Sequence, residues 1–75
     1  MLKRRQIGWL IRQTRKGLGH TIGDLAREAG VSVVEVSDVE LGESRAFDRL
    51  VDTVTAALER LASKQSVLIA LKEHP

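Results

Sequence analysis

Six basic side chains and no acid stand in the first sixteen residues: Lys3, Arg4, Arg5, Arg12, Arg15 and Lys16. The rest of the chain holds six bases against ten acids, so a formal net charge of only +2 conceals an electropositive amino end. Such a cluster suits phosphate or an acidic partner; the plainer alternative is a solvated basic face at a helix start. Other chemistry has little to work with. Cysteine is absent, which excludes disulfides, thiolate metal sites and cysteine nucleophiles. The two histidines, His20 and His74, are too far apart for ligand spacing, and no HExxH, P-loop or GxSxG pattern occurs. No enzymatic activity, metal or cofactor is expected.

These side chains must be positioned by a small scaffold. At 75 residues the chain is one domain, near the lower limit for a core without staples. With 43% hydrophobic residues and one proline it reads as globular and helical rather than disordered. The longest apolar run, "VLIAL" at residues 67–71, is far short of the roughly 20 residues that span a bilayer, and no signal peptide is recognisable. A cytoplasmic protein without membrane contact is expected.

Periodicity predicts a first helix over residues 4–17 with Ile7, Leu10, Ile11 and Thr14 on its inner face. Arg5, Trp9, Arg12 and Lys16 fall on the other side. Trp9 then either stacks with arginine or a base, or is covered by the carboxyl end of the chain. "GLGH" supplies a turn, and Thr21 caps a short second helix with Asp24 completing the box and Leu25, Ala26 and Ala29 inward. Gly30 ends it, with Val31 plugging the angle. Ser32 and Glu35 form an S-x-x-E box for a third helix that stops at Gly42. Two short helices joined by "AGVS" make a helix-turn-helix.

A fourth helix runs over residues 47–61 with Phe47, Leu50, Val51, Val54, Ala57, Leu58 and Leu61 inward. "SKQS" either breaks the chain before a last segment or carries the seam on to Leu68 at 3- and 4-residue spacing. The division is thus residues 1–61 as the helix-turn-helix domain and 62–75 as a tail. This apolar tail folds back on Trp9 or pairs with a second subunit, and the second is preferred.

From Ile7 to about Leu58 the chain resembles the Cro/C1 (lambda and 434 repressor-like, XRE-type) helix-turn-helix family. The resemblance rests on Ile7, Gly8, Ile11, Arg12, Arg15, Thr21, Leu25, Ala26, Gly30, Val31, Ser32, Ser37, Glu40 and Gly42 at fixed offsets. It implies an all-α, four- to five-helix lambda-repressor-like domain. It also implies a partly buried Arg15–Glu40 bridge, which assigns one acid of the third helix to structure. His20 departs from the pattern, as does Thr14, since apolar residues are usual at both positions; His20 reads as a hydrogen-bonded packing residue.

The same resemblance implies duplex DNA as partner, a homodimer on paired half-sites, and a third helix that enters the major groove. Base-edge candidates are Val33, Val34, Ser37 and Asp38. Phosphate candidates are Lys3, Arg4, Arg5, Arg12, Lys16, Thr21, Ser32 and Arg45. Helical geometry agrees with the outward set: with Val36 inward at 0°, Val34, Asp38 and Leu41 point about 160°, 200° and 140° away. Yet no Arg, Lys, Asn or Gln, the usual bidentate readers of guanine and adenine, occurs between Arg27 and Arg45. A second reading therefore turns this face to a regulatory protein, with Trp9, Val34, Asp38 and Leu41 in contact, as in an antirepressor, antiactivator or antitoxin. In a third, the valines pack against the chain's own tail.

Overall fold

Thr21 and Ser32 begin their helices by the exchange their spacing predicts. In the computed structural model, which describes residues 2–73, Thr21 Oγ1 accepts from the Asp24 amide and Asp24 Oδ2 from the Thr21 amide, both at 3.0 Å. Ser32 and Glu35 repeat the arrangement, again at 3.0 Å in each direction. Gly30 and Gly42 both take φ 71°, the left-handed conformation that glycine adopts without strain. Past them the Val31 amide donates to Ala26 O (3.0 Å) and the Glu43 amide to Asp38 O (2.9 Å), closing each helix end.

Four helices result among the described residues: α1 (Arg4–Gly17), α2 (Ile22–Ala29), α3 (Val33–Leu41) and α4 (Phe47–Glu73). No strand occurs among the described residues. The fold is all-α and lambda-repressor-like. Leu25, Val36, Val39 and Val54 are fully buried at the centre, where α2 and α3 meet the first half of α4. Ile11, Phe47, Leu50, Ala57, Leu58 and Leu61 enclose them, and Val31 packs against the cluster from the turn.

One expectation is corrected. The inner face of α1 is formed by Gly8, Ile11 and Arg15, with Ile7 partly buried; Leu10 is 45% exposed and Thr14 is also exposed. The face is rotated by about 60° from the apolar pattern. The reason lies at Gly8, where an added Cβ would run into the carbonyl oxygens of Val39 and Glu40. Backbone contact at a glycine, rather than apolar side chains, decides which side of α1 meets α3.

In the tail, one of the two alternatives the sequence leaves open is realised. Ser63, Lys64, Gln65 and Ser66 remain helical, so α4 is one helix of 27 residues and no fifth helix forms among the described residues. Residue 61 marks the end of burial rather than a break in the chain: Leu61 is 8% exposed, and no later described residue is buried. The exit of α4 is tied to α2. Lys64 Nζ donates to Glu28 Oε1 (2.8 Å), and Arg60 donates to the Glu28 carbonyl (2.9 Å). Lys64 and Arg60 hold the Glu28 carboxyl below the ordinary carboxylate range. The tail therefore leaves beside α2 and does not return to Trp9, which stays 57% exposed. His74 lies outside the described residues.

Candidate nucleic-acid interface

Glu40 and Arg15 face each other across the α1–α3 contact. Arg15 Nε donates to Glu40 Oε2 at 2.7 Å and Nη2 to Oε1 at 3.1 Å, with the two side chains only 11% and 5% exposed. A third donor, Nη1, reaches the His20 carbonyl at 2.9 Å. One guanidinium thus binds α3 to α1 and to the turn before α2, and the Glu40 charge is satisfied inside the domain. No buried side-chain nitrogen or oxygen among the described residues lacks a partner.

With Glu40 turned in, the outer face of α3 carries Val33, Val34, Ser37, Asp38 and Leu41. Val33 is 47%, Val34 67% and Leu41 50% exposed, while Ser37 and Asp38 are half-buried. The reading in which these valines pack against the chain's own tail is corrected, because α4 departs on the α2 side of the molecule.

The amino end of α2, the carboxyl half of α1 and the middle of α3 converge on one shallow depression. Arg12, Thr21, Ile22, Ser37 and Leu41 line it, with the Arg15–Glu40 pair as its polar floor. Arg12 is exposed and supplies the one cation there that the pair does not engage. The α2 amino terminus adds partial positive charge, though Asp24 offsets some of it. The Asp24 carboxyl is held below its ordinary value by the Thr21 backbone amide first and by His20 next. His20 Nδ1 lies 3.3 Å from Asp24 Oδ2, so its ring acts as a partner within the turn.

The other basic candidates are distributed unevenly around this face. Arg5 passes the end of α3: a Cβ on Gly42 would come within 2.8 Å of the Arg5 backbone. Lys3, Lys16 and Arg45 are exposed. Arg4 is drawn elsewhere, with its Nη2 3.2 Å from Asp48 Oδ2 and its guanidinium 5.5 Å from the centre of the Phe47 ring. Ser32 Oγ accepts from the Glu35 amide, which leaves its O–H as a donor at the exposed start of α3. The structure adds Arg49, near enough to Glu35 to help hold its carboxyl low, after the Ser32 bonds that dominate. Nothing in the sequence distinguishes Arg49 from other outward residues of α4, since its place beside α3 depends on packing. Glu28 went unnoticed for the same reason.

Among the described residues no three His, Asp or Glu side chains converge to hold a metal ion, and no helix is long and apolar enough to cross a membrane. No curated protein and no solved structure matches the chain. A helix-turn-helix family model does match, over residues 11–48, which is about half of the chain and contains α2, α3 and the whole depression. The geometry and this match agree: the chain belongs to the Cro/C1-type (XRE) helix-turn-helix family of DNA-binding domains.

Proposed function

We propose that the chain is a small transcription regulator that binds duplex DNA as a dimer on paired half-sites, with residues 1–61 as the reading unit and 62–75 as an appended dimer tail. The observation that carries the reading is the convergence of Arg12, Thr21 and Ile22 with Ser37 on one depression. A phosphate at the amino end of α2 would meet backbone amides and a guanidinium while α3 lies in the major groove. There Val33 and Val34 suit thymine methyl groups, Ser37 can donate, and Asp38 can accept from a cytosine amino group. Lys3, Arg4, Arg5, Lys16 and Arg45 supply further phosphate affinity, Arg4 from an exposed pair with Asp48 that a phosphate can displace.

Affinity for mixed duplex should then fall on the order of 10³-fold between about 50 and 200 mM salt. Arg5→Ala with Arg12→Ala should weaken every sequence alike and lower the salt slope by about 2 per chain, measured by fluorescence anisotropy. A chain that shifts no duplex at low salt has a different function.

One observation favours a second reading. Val34 and Leu41 stand exposed beside the acids Asp38 and Glu43, with no cationic or amide side chain on α3. Such a surface fits a basic patch on another regulatory protein, the action of an antirepressor, antiactivator or antitoxin. Val34→Glu separates the two. Loss of DNA affinity supports the first reading; unchanged DNA affinity with loss of a captured protein supports the second.

A further inference from the structure

We propose that the outer face of α1, around Trp9, is a docking site for an acidic amphipathic helix of another protein. The site stands on a different face from the depression between α1, α2 and α3, and it does not depend on the DNA-binding reading. Only its occupation at the same time as duplex rests on that reading.

With Ile11 inward, Trp9, Gln6 and Gln13 point about 160°, 140° and 160° away from the core. Arg12 is about 100° round on the side of α3, where it lines the depression, and Leu10 is about 100° round on the other side. A duplex laid on α3 therefore leaves Leu10 and Gln6 uncovered. Leu2, Trp9 and Leu10, which are 55%, 57% and 45% exposed, enclose a second depression with Arg5 and Gln6. Tryptophan is seldom so open. No guanidinium among the described residues lies over its ring, and α4 departs on the α2 side.

The chemistry of the rim selects the occupant. No acid precedes Asp24 in the chain, and among the described residues Lys3, Arg5, Arg12 and Lys16 make no ion pair. Gln6 Oε1 accepts from the Lys3 amide at 2.7 Å, which leaves its NH2 group as a donor at the edge. An apolar floor beneath cations and an amide donor calls for apolar anchors flanked by carboxylates. Leu2 and Leu10 bracket about two helical turns, room for two anchors one turn apart on a bound helix. A second copy fits poorly, because two-fold pairing of this face would set its cations against themselves. A phosphate backbone would leave Leu2 and Leu10 in water, since it brings no apolar anchor.

Trp9 is the single tryptophan of the chain, so its emission reports this site alone. Random peptides of about four helical turns, displayed against the full chain, should enrich sequences with Leu, Ile or Phe three or four residues apart among Asp and Glu. A representative made without tryptophan should shift Trp9 emission to the blue and bind less tightly as salt rises. Leu10→Ser and, separately, Gln6→Glu should each weaken it about 10-fold with the thermal transition retained. Gln6→Glu keeps an acceptor for the Lys3 amide, and Leu10→Ser should leave duplex affinity unchanged. Enrichment of basic or purely apolar peptides, emission that the representative does not move, or binding untouched by Leu10→Ser overturns the proposal. So does duplex that displaces the peptide, which would make Trp9 part of the nucleic-acid footprint. Emission that shifts as the chain alone is concentrated, or on adding phosphatidylserine vesicles, overturns it in favour of a second copy or of lipid. A chain that binds the peptide and shifts no duplex keeps the docking site and removes the DNA reading; the reverse removes the docking site alone.

Discussion

Arg15→Ala is expected to lower stability by roughly 3 to 5 kcal/mol, because it strands the Glu40 carboxylate in a site where that side chain is 5% exposed. At about 0.05–0.15 kcal/mol per residue a domain of this size has only some 4 to 11 kcal/mol, so the loss removes much of it. Glu40→Ala should cost a similar amount, since it leaves the guanidinium with the His20 carbonyl alone. Arg15→Lys should not rescue: an ammonium cannot span both Glu40 oxygens and His20 O in the fixed fork of a guanidinium. Arg15→Met with Glu40→Leu should recover most of the loss, because two apolar side chains leave no uncompensated charge. Urea denaturation midpoints check the series. A single-variant loss below about 1 kcal/mol would mean the pair behaves as a surface ion pair.

Gly8→Ala should destabilise by about 3 kcal/mol, although alanine is the better helix former. The added methyl meets the carbonyl oxygens of Val39 and Glu40, which are backbone atoms near the end of α3 and cannot swing aside as a side chain would. Relief requires α1 to move off α3, which also stretches the Arg15–Glu40 bonds. Gly17 is the control. It ends the same helix at negative φ with nothing within 4 Å of its Cβ position, so Gly17→Ala should stabilise by about 0.4–1 kcal/mol. Thermal melts of the two variants should shift in opposite directions; a stabilising Gly8→Ala would contradict the close packing of α1 on α3.

The Gly8 contact also explains where the sequence misleads. Leu10 looks like a core residue by spacing, yet it lies on the exposed side because α1 is rolled to bring its glycine onto α3. Arg4 belongs to the basic run at the amino end, and only the start of α4 places Asp48 and Phe47 beside it. Arg12 belongs to the same basic run, but only the packed helices set it in one depression with Thr21 and Ser37. Each case turns on the neighbour a residue meets from a distant part of the chain, which its own spacing does not encode.

Local rules went much further with the helix ends. Thr21 with Asp24, Ser32 with Glu35, and the stops at Gly30 and Gly42 concern atoms within a few residues of one another, so the sequence by itself determined α2, α3 and the turn between them. It determined the inward stripe of α4 as well, because a 3.6-residue period is a property of one helix. Only the tertiary structure decided which side of α1 is buried, which cations remain free, and that α4 continues past Leu61 instead of breaking at "SKQS". Those outcomes depend on contacts between elements far apart in the chain: Gly8 on the α3 carbonyls, Arg4 on Asp48, and Glu28 on Arg60 and Lys64.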